Sequence, residues 1–119
     1  KLVHPNRPVA AVIGDGGLLM YAGELATLAR SGLPIILVVM ADSALYSIKI
    51  KQLRRSLPPV GSDIGVDVSA AALARDFGLA SRCVATREEC AAAFAAALRS
   101  DRATVIEARI DPAEYDRVQ

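Results

Sequence analysis

"PVAAVIGDGGLLMYAGELATLARSGLPIILVVMA" (residues 8–41) decides the fold. Residues 8–13 form a continuous short apolar run, the pattern of a strand buried on both faces. Between 18 and 30, Leu18, Tyr21, Ala22, Leu25, Leu28 and Ala29 recur at helical spacing, and Gly32-Leu33-Pro34 ends the helix. Residues 35–41, IILVVMA, are a second apolar run rich in β-branched residues. Strand, helix and strand with short joints predict a parallel βαβ unit with a right-handed crossover.

The pattern continues beyond this unit. Residues 44–55 read as a helix whose Lys49, Lys51, Arg54 and Arg55 form a solvated face. Residues 56–67, with Pro58-Pro59, Gly61 and Gly65, have loop composition and are too long for a tight connection. Segments of that kind are often lids or binding loops, and a plain surface connection has the same composition. A helix over 67–79, stopped by Gly78, leads to a short strand at 81–85. A helix over 86–100 opens with Thr86 and Glu89 in capping-box spacing and leads to a strand at 103–110. The fold class predicted is α/β: a three-layer, doubly wound sheet, mostly parallel, with helices on both faces.

Composition narrows the function. A chain of 119 residues is the size of one domain, and 53% apolar residues can build a core, which excludes the disordered class. A formal charge of +1 gives no global field for nucleic acid. Cys83 and Cys90 lack metal-ligand spacing and are too few for a disulfide scaffold, so they read as small buried apolar residues. No run approaches the roughly 18 apolar residues of a membrane span, and no basic-then-apolar leader opens the chain. No membrane partner is therefore expected, and the cytoplasm is the expected compartment. The run-in to the first strand, KLVHPNR, has no initiator Met and reads as the start of a fragment of a longer polypeptide. Because the first strands look central, such a piece is expected to expose apolar surface and either to self-associate or to co-fold with a missing N-terminal portion.

The chemistry lies where the strands end. In parallel sheets the carboxyl ends of neighbouring strands share one edge, where open α/β folds bind ligands. Asp15 follows the first strand and Asp42 the second, so two carboxylates converge there if the strands are neighbours. Gly14, Gly16 and Gly17 let the backbone turn tightly and let a ligand approach the amides. The helix that follows offers N–H groups suited to a phosphate. Carboxylates beside a phosphate would repel it unless a cation lies between them. Two oxygen ligands without a nearby His or Cys describe Mg²⁺ or Ca²⁺ holding a diphosphate. A Gly-rich turn with a surface aspartate would read the same way without any ligand. A dinucleotide fingerprint would need glycine at position 19, which is Leu19, and a P-loop would need Gly-Lys-Ser/Thr, which is absent. A phosphoacceptor signalling domain would want paired acids after its first strand and a Lys after a late one, and the chain offers Asp15 alone and an Arg109-Ile110 ending.

The stretch 4–52 resembles the cofactor-binding domain of thiamine-diphosphate-dependent enzymes of the acetolactate synthase and 2-oxoacid decarboxylase group. Their motif is Gly-Asp-Gly followed, after a spacer, by Asn-Asn or Asn-Asp. "GDGG" (14–17) matches its first half, and Asp42 falls at its second position, 27 residues after Asp15. Ala41 stands where the family has the first Asn, and Tyr46 where it commonly has a Gly. The resemblance covers almost the whole chain, is most specific over 4–52 and weakens afterwards, and it implies that residues 1–119 are the C-terminal portion of one thiamine-diphosphate-binding domain.

Carried over residue by residue, the resemblance implies that Asp15 and Asp42 bind Mg²⁺ through their carboxylates and Ala44 through its carbonyl. Gly14, Gly16, Gly17 and the backbone around Leu45 and Tyr46 would meet the diphosphate, and Ser47 and Ile48 would lie near the thiazolium and substrate. No catalytic residue is expected in this chain, because the family's activating glutamate comes from a pyrimidine-type domain of the same or a partner subunit. Glu24, on the helix after the motif, reads as a residue making local contacts, and His4 as a surface or packing residue. The expected function is to hold the Mg-diphosphate end of thiamine diphosphate in a carboligase or decarboxylase acting on a 2-oxoacid. A homo-oligomer is expected, and the chain alone is expected to be inactive. The alternative is a degenerate or truncated homologue serving as an assembly module.

Overall fold

A computed structural model describes residues 1–117. In chain order the elements are β1 (Val9–Gly14), α1 (Asp15–Met20), α2 (Glu24–Ser31), β2 (Ile35–Ala41), α3 (Tyr46–Arg54), α4 (Ala70–Asp76), β3 (Ala80–Val84), α5 (Arg87–Leu98) and β4 (Thr104–Arg109). A 3₁₀ turn, Pro112–Arg117, follows β4. The four strands form one sheet, all pairs parallel, in the order β1-β2-β4-β3.

Alternation along the strands divides the core in two. Val39 and Val105 face one side with Leu18, Leu25, Ala70 and Ala74 from α1, α2 and α4. Ile36, Val38, Val84 and Ile106 face the other with Ala97 of α5. Helices therefore cover both faces, and the three-layer α/β reading holds. β2 and β4 are the interior strands, and in β4 Thr104, Val105, Ile106 and Glu107 are all buried.

The first strand departs from expectation. Among the described residues β1 pairs only with β2, and Val12 is 69% exposed. Its side chains at Val9, Ala11 and Ile13 lie on the α1–α2 side, where Ile13 joins the core. On the opposite side α5 packs over β2, β3 and β4, because it joins β3 to its neighbour β4 and lies over that half of the sheet. Within the described residues the apolar run 8–13 is thus an edge strand covered on one face.

The helix expected over 18–30 is two. α1 begins at Asp15, a turn at 21–23 interrupts it, and α2 starts after Gly23, a residue that weakens a helix interior. Gly32, at φ 63°, ends α2 in the left-handed conformation that glycine adopts without cost. The capping box of α5 is formed: Glu89 N–H donates to Thr86 Oγ1 (3.2 Å), and Glu89 Oε2 accepts from Thr86 N–H (3.2 Å). Cys90 packs against the second core cluster, but Cys83 lies exposed on edge strand β3, so the buried reading fails for it. No helix among the described residues is long and apolar enough to cross a membrane.

Candidate functional site

β1 and β2 are neighbours, with Gly14 level with Met40, so Asp15 and Asp42 emerge on one sheet edge. Asp15 is the first residue of α1 and only 8% exposed. Its Oδ2 accepts from Asp42 N–H (3.1 Å) and Ser43 N–H (2.7 Å), and its Oδ1 from Gly16 N–H (2.7 Å). The two strand ends are therefore tied through one carboxylate. Asp42 Oδ1 in turn accepts from Ala44 N–H (3.0 Å).

The loop from Asp42 to Tyr46 carries strain. Ser43 sits at φ 60°, a region that disfavours residues with a Cβ. The segment 56–67 holds the loop from its other side: Leu45 N–H donates to Ser62 O (2.7 Å), and Ile64 N–H to Ser43 O (3.1 Å). Lys49 pairs with Asp63 at 2.7 Å, which fastens α3 to the same segment. The 56–67 segment is irregular, as expected, yet it is anchored to the site through Ser62, Asp63 and Ile64.

These parts enclose a cleft of about 350 Å³. Gly14, Asp15, Gly16, Gly17, Asp42, Ala44, Leu45, Tyr46 and Ser47 line it. Ile48 does not; it is about half exposed on α3. Glu24 and His4 are exposed and outside the cleft.

Gly16 and Gly17 also have a packing role. Gly16 N–H is engaged by Asp15, and a Cβ on Gly16 would run into the Leu45 side chain. A Cβ on Gly17 would lie 3.0 Å from Ile13. Both glycines make room for packing that brings α1, β1 and the start of α3 together. Two helices open on the cleft with their first turns: α1, from its N-cap Gly14 to Gly17, and α3, whose N-cap Leu45 and first residues Tyr46 and Ser47 line the wall, with no acidic residue in the α3 turn. The positive dipole end of α3 suits an anion.

Two carboxylates without His or Cys are hard oxygen donors, suited to Mg²⁺ rather than to zinc. No group of three or more His, Cys, Asp or Glu among the described residues could hold a metal by itself. The set fits a cation that takes its remaining ligands from backbone, water and a bound phosphate, which is the habit of Mg²⁺.

Two residues near the site escaped the sequence reading. Tyr115, on the 3₁₀ turn, lines the cleft and stacks on Tyr46, with ring centroids 4.4 Å apart. Burial, then the neighbouring Asp42, pushes its phenol above the usual range. Glu107, on β4, is 1% exposed and braces α4, accepting from Ser69 Oγ (2.7 Å) and Ala71 N–H (2.9 Å). A lone acid inside an apolar strand was the available signal for Glu107. Tyr115 lies past the last strand and left none.

Comparison with known proteins agrees with this geometry. YdaP of Bacillus subtilis (strain 168), named as a thiamine pyrophosphate-containing protein, is 34% identical over 111 residues, which is 92% of this chain and 19% of that one. Acetolactate synthase of the same organism is 28% identical over 111 residues, 93% of this chain and 19% of that one. The chain thus spans about a fifth of the length of these relatives. Among solved structures, the thiamine diphosphate-dependent 4-hydroxybenzoylformate decarboxylase of Rhodococcus jostii RHA1 superposes with a TM-score of 0.85 at 26% identity, over 92% of this chain and 21% of that one. Residues 1–108 match the family model described as thiamine pyrophosphate enzyme, C-terminal TPP binding domain. With a match over nearly its whole length and the fold to go with it, the chain belongs to the thiamine pyrophosphate enzyme family, as its C-terminal cofactor-binding domain.

Proposed function

We propose that this domain holds the Mg-diphosphate end of thiamine diphosphate in an acetolactate synthase-like carboligase or a decarboxylase acting on a 2-oxoacid. The observation that carries the reading is the tie between Asp15 and the loop beginning at Asp42, which brings two carboxylates, a short helix-start and a cleft together. Asp15 and Asp42 would hold Mg²⁺, with the Ala44 carbonyl as a third ligand. The first turn of α3, from Leu45 to Ser47, would meet the diphosphate, where the N–H groups and the dipole end favour negative charge. When bound, thiamine diphosphate supplies the carbanion-stabilising chemistry that a 2-oxoacid needs, and the protein supplies metal, orientation and electrostatics. The glutamate that activates the aminopyrimidine would come from a pyrimidine-type domain of the same or a partner subunit, which would complete the site in a homo-oligomer. The chain alone would then not turn over substrate.

Calorimetry on the full-length protein tests this. Thiamine diphosphate should bind the unsubstituted protein only when Mg²⁺ is present, and Asp15→Asn should abolish that binding while the circular dichroism spectrum is kept. Mg²⁺-independent binding, or unchanged affinity in the variant, would defeat the assignment.

A further inference from the structure

Residues 43–45, between Asp42 and α3, run antiparallel to residues 62–64. Leu45 N–H donates to Ser62 O at 2.7 Å, and Ile64 N–H donates to Ser43 O at 3.1 Å. Ala44 and Asp63 face each other between those two bonds as a bridged pair. In antiparallel pairing, two residues flanked in this way exchange no backbone hydrogen bond with each other. Each turns its own N–H and C=O outward, away from the partner segment. For Ala44 that direction is toward the cleft: its N–H donates to Asp42 Oδ1 at 3.0 Å, and the residue lines the wall.

The carbonyls of the loop are used unequally. Ser43 O accepts from Ile64 N–H, and Leu45 O accepts from the N–H groups of Ile48 and Lys49. Ala44 O accepts no hydrogen bond among the described residues. One open acceptor thus lies beside the Asp42 carboxylate, and residues 62–64, behind the loop, set its direction. Those residues are themselves held. Ser62 is fully buried, and Asp63 pairs with Lys49 of α3 at 2.7 Å.

We propose that residues 62–64 are a positioning strand for the metal site, in which Ile64 N–H, through its bond to Ser43 O, keeps the Ala44 carbonyl aimed at the cation. The inference rests on the reading of Ala44 O as a Mg²⁺ ligand beside Asp15 and Asp42. It gives the irregular 56–67 segment a part in choosing the cation without touching it. Mg²⁺ demands near-ideal octahedral geometry, whereas Ca²⁺ accepts a flexible arrangement. A carbonyl held in one direction therefore serves Mg²⁺ more than Ca²⁺.

The test is calorimetry of thiamine diphosphate binding at increasing Mg²⁺ and, separately, Ca²⁺. It uses the full-length protein, Ile64→Pro, a variant with one glycine inserted between Asp63 and Ile64, and Asp15→Asn. Proline at position 64 lacks the N–H that bonds Ser43 O. The insertion moves Ile64 out of register within an irregular segment, where added length costs little. In both variants half-saturating Mg²⁺ should rise about tenfold, and half-saturating Ca²⁺ by a smaller factor. Amide exchange at Leu45 should quicken in the cofactor-free protein. A strand that only stabilised the fold would lower the melting temperature and shift both cations alike. Equal shifts, or half-saturating Mg²⁺ within twofold of the unsubstituted protein, overturn the proposal. Leu45 protection that survives both variants overturns it too, because the pairing would then not be what holds the loop. If Ile64→Pro fails to fold, the insertion variant decides alone. If the unsubstituted protein shows no Mg²⁺-dependent binding, the functional reading falls and takes this inference with it. If Asp15→Asn abolishes binding while Ile64→Pro and the insertion leave it untouched, only this inference falls.

Discussion

Asp15 Oδ2 and Ser43 N–H lie 2.7 Å apart although 28 positions separate the two residues in sequence. The bond ties the first residue of α1 to the one loop residue between β2 and α3 that adopts a left-handed conformation, Ser43 at φ 60°. The carboxylate that would take a cation therefore also shapes the loop that carries the second carboxylate.

The double role separates two substitutions. Asp15→Ala would leave three N–H groups without their acceptor, those of Gly16, Asp42 and Ser43, and the buried Gly16 donor alone costs about 1–3 kcal/mol when unsatisfied. Asp42→Ala frees only Ala44 N–H, in a part-buried position. Urea unfolding should show the larger loss of stability for Asp15→Ala, whereas both variants lose Mg²⁺-dependent cofactor binding. Equal losses of stability would mean that the Asp15 bonds to the loop contribute little.

Ser43 gives a second test. The left-handed conformation costs an L-residue about 1–2 kcal/mol. Ser43→Gly removes that cost but frees the unfolded chain by about 0.4–1 kcal/mol. A small net gain in stability is expected, with the site unchanged. Ser43→Val should instead destabilise by more than about 1 kcal/mol, since β-branched residues tolerate this region poorly. A Val variant as stable as the parent would show that the loop escapes the strain by moving, and hydrogen exchange at Leu45 would then rise.

Local patterning made the alternation of strands and helices legible, together with the capping box at Thr86 and Glu89 and the two aspartates at neighbouring strand ends. The βαβ unit and the Gly-Asp-Gly stretch carry physical requirements within a few residues of themselves. What was illegible depends on distant parts of the chain. That β1 is covered on one face only follows from where α5 lies, and nothing in residues 8–13 encodes it. The break at 21–23 sits in a run whose apolar spacing is helical throughout, so Gly23 was the only sign of it. The packing role of Gly16 needs Leu45, almost thirty residues away, and Tyr115 reaches the cleft only because the chain turns back after β4.

Gly16 and Leu45 are therefore expected to be coupled. A Cβ at Gly16 collides with the terminal Cδ2 of Leu45, the N-cap residue of α3, so the Leu45 side chain must shift. Gly16→Ala should destabilise the domain and weaken cofactor binding, and Leu45→Ala in the same molecule should recover part of the stability. A double-mutant cycle should give a coupling of about 0.5–3 kcal/mol, the range for residues in contact. Additive effects would mean that the helix accommodates the methyl group elsewhere.

Glu107 is a buried carboxylate whose protonation should loosen the fold. Burial pushes its carboxyl up, but the Ser69 hydroxyl, Ala71 N–H and the Arg109 guanidinium outweigh that, and the net shift is below the ordinary 4.5. Arg109 Nη2 lies 3.2 Å from Oε1, while Oε2 receives the two donors at the start of α4. A carboxyl whose folded pKa is depressed stabilises the protein fully above its unfolded value and loses that contribution as pH falls through the folded value. Stability should thus hold above pH 4.5 and decline progressively below it as Glu107 takes up its proton. Glu107→Gln removes the charge at every pH and should cost about 1–3 kcal/mol near neutrality, because an amide cannot accept from all three donors. Urea midpoints of the two proteins should therefore differ most above pH 4.5 and converge as the pH is lowered. A gap that stays constant on acidification would show that Glu107 is not the group whose protonation loosens α4 from β4.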